Sequence, residues 1–225
     1  NLFPDSGSYV SAGEGEVMEQ RNWHRQTSVH NTVTLDNKNL ETTESVTKLW
    51  QPEGNIQTLV TENPSYKNFK HRRSVFFVDN TYFVIVDEVS GSAKGSVNLH
   101  YQMPKGEIAN SREDMTFLTQ FEDGSNMKLQ CFGPEGMSMK KEPGWCSTAY
   151  RKRYKRMNVS FNVKKDNENA VRYITVIYPV KKSADAPKFD AKFKNKTFDE
   201  NGLEIEVKVN GKKQSFCLLY TSPSP

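Results

Sequence analysis

The stretch LEIEVKVNGKKQSFCLLY, Leu203 to Tyr220, alternates Leu, Ile and two Val with Glu, Glu and Lys, then turns back on itself. A period of two puts the apolar side chains on one face of a strand and the charged ones on the other, the pattern of a half-buried antiparallel sheet. Asn210-Gly211 supplies the positive φ angles of a two-residue hairpin, so QSFCLLY reads as the returning strand. The same period runs outward through the chain. In MNVSFNV, Met157, Val159, Phe161 and Val163 share one face, and Asn158, Ser160 and Asn162 share the other. SVFFVDNTYFVIVDEV (Ser74–Val89) reads as two strands around Asp79-Asn80, apolar on both faces and so central in a sheet. AVRYITVIYPV (Ala170–Val180) reads the same way.

Apolar spacing of three and four never persists beyond a turn, so no amphipathic helix is expected. Turn clusters (DGSN, GPEG, DENG) recur, and no Pro/Ser-rich linker interrupts residues 1–220. The expected fold is all-β, one large antiparallel two-sheet β-sandwich over 1–220. The terminal TSPSP, 221–225, has nothing to bury and cannot extend a ladder, so it is expected to be a non-structural tail. The opening NLFPDSGSYV reads as the end of a strand entering a turn, which predicts a sandwich truncated at its N-terminal strands. No apolar run approaches the roughly 20 residues a membrane helix needs. Cys131, Cys146 and Cys217 are widely spaced and lack a CxxC pair, which excludes a disulfide framework. Cys131 falls on the apolar parity of MKLQCF and reads as core.

Against this plain background, RNWHRQTSVHNTVTLD (Arg21–Asp36) gathers Trp23, His24, Arg25, Gln26 and His30 just before a strand pattern. In SVHNTVTL, Val29, Val33 and Leu35 share one parity, and His30, Thr32 and Thr34 the other, so His30 is expected on a polar strand face. An imidazole in a cleft needs partners for both nitrogens, and a metal ion can be one of them. Asp5 of FPDSGSY is a carboxylate that could meet it, although Pro-Asp-Ser-Gly is also good turn chemistry. AYRKRYKRM (Ala149–Met157) makes five of the six residues from Arg151 to Arg156 basic, with Tyr154 between them. Such a stripe either attracts a polyanion or is a solvated edge strand. No nucleic-acid-binding motif accompanies it. His71, in KHRR, is expected at the surface, and His100 shares a face with Asn98 and Gln102.

NLFPDSGSYV followed by RNWHRQTSVHNTVTLD resembles the opening of the C-terminal domain of the heparinase II/III family of polysaccharide lyases, and the resemblance runs over essentially all of 1–220. It implies an N-terminal α/α toroid in the same polypeptide, with an acidic, heparan-sulfate-like polysaccharide bound between toroid and sandwich. The implied reaction is β-elimination at the uronic acid. The family's catalytic Asn (or His), Tyr and His lie upstream, so no catalytic residue is expected here and the chain alone is expected to be inactive. The resemblance also implies a structural divalent metal, Zn²⁺ or else Ca²⁺ or Mn²⁺, held by an upstream His with Asp5 and His30. On this reading Trp23 stacks on a pyranose and Arg25 pairs with a sulfate or carboxylate. His24 and Gln26 bind hydroxyls, and Arg151 and Arg153 attract the sulfated chain. The implied location is bacterial, periplasmic or secreted. A non-catalytic secreted module that binds acidic polysaccharide is the alternative.

Overall fold

The computed structural model describes residues 3–220, so the expected tail at 221–225 lies outside the described residues. One helix, α1 (Gly15–His24), and a 3₁₀ turn at Thr27–Val29 precede the strands. In chain order these are β1 (Val33–Leu35), β2 (Val46–Gln51), β3 (Ile56–Tyr66), β4 (Phe69–Val78) and β5 (Tyr82–Ser90). Next come β6 (Gly95–Gln102), β7 (Ile108–Ser111), β8 (Thr116–Thr119), β9 (Asn126–Phe132) and β10 (Ser138–Ala149). The last are β11 (Lys152–Lys165), β12 (Val171–Val180), β13 (Phe189–Phe193), β14 (Gly202–Val209) and β15 (Lys212–Leu219). Two compact units share them. Asn1–Glu41, Gly95–Glu107 and Gly136–Lys164 form one; Thr42–Lys94, Ile108–Glu135 and Lys165–Pro225 form the other.

The second unit is a two-layer antiparallel sandwich. An eight-stranded sheet, ordered β2-β3-β4-β5-β12-β9-β8-β7, faces the three-stranded sheet β13-β14-β15. Val60, Phe76, Val84, Val86, Ile174 and Val176 of the large sheet pack with Leu203, Ile205, Val207 and Phe216 of the small one. Each such side chain contributes about 1.5–3 kcal/mol on full burial. The period of LEIEVKV therefore marks the face that closes this core. Asp79 and Asn80 both take φ of 49° between β4 and β5, and Asn210 and Gly211 take 49° and 80° between β14 and β15. These are left-handed values of tight turns: Asn210-Gly211 is a two-residue loop that pairs Val209 with Lys212, whereas Thr81 adds a third residue between the paired Val78 and Tyr82. Strand β12 lies between β5 and β9, which explains why it is apolar on both faces.

His71 is a correction. It is buried in β4, with its Nε2 2.6 Å from Asp87 Oδ1. Arg73 Nε donates to the same oxygen at 2.7 Å. Burial acts to raise the Asp87 carboxyl, but Arg73 and His71 outweigh it and hold it at about 2. His71 and Arg73 thus meet a buried carboxylate rather than decorating a surface.

The first unit is built on the sheet β1-β6-β11-β10. Here the structure adds detail the sequence pattern did not carry. First, α1 exists. Glu16 sits in its first turn and Arg21 in its last, which suits the helix dipole, but its only buried residue is His24. With no apolar stripe, the helix gives no period to read. Second, Ser28–Leu35 is not one strand. The 3₁₀ turn comes first, and only Val33–Leu35 pairs with β6. The Asn31 side chain accepts the Gln102 N–H at 2.7 Å, taking the place of a backbone carbonyl and ending the ladder there. The strand end expected at the start of NLFPDSGSYV falls on residues 1 and 2, outside the described residues, and residues 3–10 run as a loop.

Candidate functional site

The site grows from the FPDSG loop, which side-chain and backbone groups of β10, β11 and the 3₁₀ turn hold in place. The Arg156 guanidinium donates to the Pro4 carbonyl and, at 2.6 Å, to Ser6 Oγ. Ser6 Oγ donates in turn to the Val29 carbonyl at 2.5 Å. Ser147 N–H donates to the Ser6 carbonyl, and Cys146 Sγ to that of Asp5 at 3.3 Å. Gly7 takes φ of 71°, and a Cβ there would run into the Ser147 carbonyl, so both conformation and space demand glycine. Asp5 then does two things. Its Oδ1 accepts the Gly7 N–H at 2.8 Å, closing the turn, while its Oδ2 lies 2.5 Å from His30 Nδ1. Burial pushes the Asp5 carboxyl up, yet the Gly7 amide, His30 and Arg156 more than offset this and hold it below the usual carboxylate range. His30 is 36% exposed and Asp5 62%.

This pair brings one imidazole nitrogen and one carboxylate oxygen together, a donor set that suits Zn²⁺. No third His, Cys, Asp or Glu joins them among the described residues. The residues fit half of a metal site.

His30 also lines a groove of about 630 Å³ with Asn22, Arg25, Thr27, Thr32 and Asn39. Its wall is fixed by two bonds: Thr27 N–H donates to Asn39 Oδ1 at 2.8 Å, and Leu40 N–H to Thr27 Oγ1 at 3.0 Å. Arg25 follows the last turn of α1, where its N–H bonds the Asn22 carbonyl at 3.2 Å, and its side chain is exposed. A cation, an imidazole and amides around one groove can hold a carboxylate or sulfate and the hydroxyls beside it. Sequence reasoning singled out Arg25 and His30 but missed Asn22, Thr27 and Asn39. Loop amides carry no spacing signal.

The other expected residues are placed differently. His24 is 1% exposed, which overturns its expected contact with sugar hydroxyls. Its Nδ1 lies 2.9 Å from the Ser6 carbonyl, which can only accept, so Nδ1 carries the proton. Burial, assisted by Arg153 and Arg156, pushes its pKa down. The ring lies over Tyr9 at 5.9 Å and 17°. Arg153 sits over the other members of this column, 5.3 Å from Tyr9 and 4.1 Å from Trp145, with Lys155 5.7 Å from Trp145. Arg153 is thus a packing element between two aromatic rings. Arg151 sits in the β10–β11 turn with φ of 56°, its N–H bonded to the Tyr9 carbonyl and its side chain exposed. Trp23 is half-buried, edge-on to His24 at 4.9 Å, and Gln26 is exposed. His100, on β6, is the buried, bonded sheet histidine, with its Nε2 2.8 Å from Thr34 Oγ1.

An antiparallel all-β fold opening on a tethered Asp–His pair beside a polar groove matches the family described as Heparinase II/III-like, C-terminal, whose profile covers residues 1–192; the chain belongs to this family. Among particular proteins it is 88% identical over 215 residues to a heparin-sulfate lyase of Bacteroides stercoris, covering 96% of this chain and 32% of that protein. It is 34% identical over 218 residues to a heparin-sulfate lyase of Pedobacter heparinus. A solved heparinase III gene product superposes with a TM-score of 0.96 at 98% identity, covering 97% of this chain and 34% of that one. A solved heparan sulfate lyase from Pedobacter heparinus gives 0.91 at 31% identity. The chain spans about a third of the length of the curated relatives it matches.

Proposed function

We propose that this chain is the sandwich portion of a polysaccharide lyase that cleaves heparan sulfate or a related acidic glycosaminoglycan by β-elimination at the uronic acid. It forms one wall of the substrate cleft, opposite an α/α toroid supplied by the rest of the polypeptide. The observation that carries this reading is the groove itself: Arg25, exposed and without an ion pair among the described residues, stands beside the anchored Asp5–His30 pair. Similarity to lyases named for heparin sulfate supports the substrate class. A polymeric substrate points to work outside the cytoplasm, in the periplasm or after secretion.

Replacing Arg25 by Ala should weaken binding of heparan sulfate oligosaccharides about tenfold, the lower end of what a charge-assisted hydrogen bond contributes. Calorimetry reads this directly. An unchanged dissociation constant would remove Arg25 from the groove's function.

Asp5 and His30 are proposed as two ligands of a structural divalent ion, Zn²⁺ or else Ca²⁺ or Mn²⁺, with an upstream histidine as the third. When bound, the ion would cross-link the FPDSG loop to the segment before β1. Elemental analysis of the full-length protein should show the metal lost in His30→Ala; undiminished metal content rules the ligand out.

A further inference from the structure

The second unit has a cavity of its own. It measures about 410 Å³, within the roughly 300–1,000 Å³ usual for small-ligand pockets, and every residue that lines it belongs to that unit. Phe132, Ile174, Ala191 and Phe193 give it an apolar wall at the margin of the core between the two sheets. Arg172, Lys192 and Lys196 supply three cations, and no Asp or Glu lines it. The period of two in AVRYITVIYPV puts Ala170, Arg172 and Ile174 on one face of β12, so a cation and aliphatic side chains share one wall.

These cations are poorly neutralised. Arg172 donates to the carbonyls of Asn195, Lys196 and Thr197 at 3.0, 3.0 and 3.3 Å. Its other two N–H donors have no partner among the described residues. The guanidinium lies 4.1 Å from the centre of the Phe193 ring. Glu88, paired with it across β5, is taken by Arg72 at 2.7 Å. Lys192 is 3.7 Å from Glu206, which Lys213 holds more closely at 2.5 Å. Lys196 is exposed. The carbonyl bonds tie the 195–197 loop to β12 but leave a half-buried positive charge without a counter-ion, a state that a bound anion relieves. The apolar wall narrows the class of anion. A small inorganic ion would leave Phe132 and Ile174 uncovered. A sugar sulfate would set its ester among the cations and the C–H face of its pyranose against the phenyl ring.

We propose that the cavity lined by Phe132, Arg172, Phe193 and Lys196 is a binding site for a sulfated hexosamine, carried by the second unit and sharing no residue with the Arg25 groove of the first. It rests on the reading of the chain as part of a protein that acts on a sulfated glycan. It adds affinity for chains that carry sulfate over chains that do not, because its cations recognise the ester and its apolar wall recognises the ring.

The test uses the full-length protein with its lysines ¹³C-dimethylated, a change that keeps their charge. The Lys192 and Lys196 methyl signals are assigned as those lost in Lys192→Arg and in Lys196→Arg. N-acetylglucosamine 6-sulfate should shift both signals, N-acetylglucosamine should shift neither, and inorganic sulfate should require about tenfold higher concentration. Lys196→Ser, a change at an exposed position, should weaken the titration seen at Lys192 about fivefold and leave the melting temperature unchanged. The proposal is overturned if the sulfated sugar leaves both signals in place, if the unsulfated sugar moves them equally, if inorganic sulfate binds as tightly, or if Lys196→Ser titrates like the parent. The groove is tested apart from this by Arg25→Ala. Heparan sulfate binding unchanged in that variant, with the lysine shifts present, removes the groove and leaves this site standing; the reverse pair of results removes this site alone.

Discussion

At the scale of single residues, two histidines of the first unit show how burial decides chemistry. His30 keeps a third of its surface and faces a groove. His100 is 3% exposed on β6, and burial pushes its pKa down to about 4, with the Glu142 charge pulling weakly the other way. An unfolded histidine titrates at about 6.5. The folded chain therefore holds His100 neutral where the unfolded chain takes up a proton, so its contribution is complete above about pH 6.5 and is lost as pH falls toward 4. The difference is on the order of 3 kcal/mol. In His100→Gln, which can still bond Thr34, that slope should vanish: the parent should lose more melting temperature than the variant between about pH 7 and 4.5. Equal losses would mean that other groups carry the acid sensitivity. The sequence placed His100 on the face of Asn98 and Gln102 but left open whether that face was a cleft; only packing could settle it.

At the scale of elements, the β10–β11 hairpin separates charges that look alike in the sequence. Arg151 and Arg153 both stood out in one basic stripe, but they have different work. Arg151 is the exposed residue of the turn, in a left-handed conformation, and Arg153 is sandwiched between Tyr9 and Trp145. Cation–π contacts contribute roughly 0.5–2 kcal/mol each, depending on desolvation. Arg153→Ser should thus lower the melting temperature by several degrees, whereas Arg151→Ser should leave it unchanged and weaken only retention on heparin resin. A melting temperature unmoved by Arg153→Ser would show that the column carries no stability. The alternation of MNVSFNV correctly located the strand, but a period of two cannot reveal which cations a distant Tyr9 will cover. Helix α1 was illegible for a related reason. It buries a histidine instead of an apolar stripe, so the usual signal is missing.

At the scale of the whole molecule, the sandwich was legible because its core obeys simple parity. LEIEVKV, SVFFVDNTYFVIVDEV and AVRYITVIYPV put their aliphatic side chains where the two sheets of the second unit meet. The site was legible only in part, because it is assembled from loops that backbone and side-chain hydrogen bonds hold together, and such bonds leave no period. The composition of the groove also sets a limit on what the chain does alone. A β-elimination needs a group that neutralises the uronate carboxylate, a base for the adjacent proton and an acid for the leaving oxygen. The groove offers Arg25 for the first task and one imidazole, His30, which is already engaged by Asp5; no tyrosine lines it. His24 is buried and cannot reach a ligand. The 225-residue chain should therefore bind heparan sulfate oligosaccharides through Arg25 yet release no unsaturated uronate, as followed by ultraviolet absorbance over prolonged incubation. Product formed by the chain alone, and abolished by Arg25→Ala, would mean that the groove holds a complete set of acid and base and that the division between binding wall and catalytic partner is misplaced.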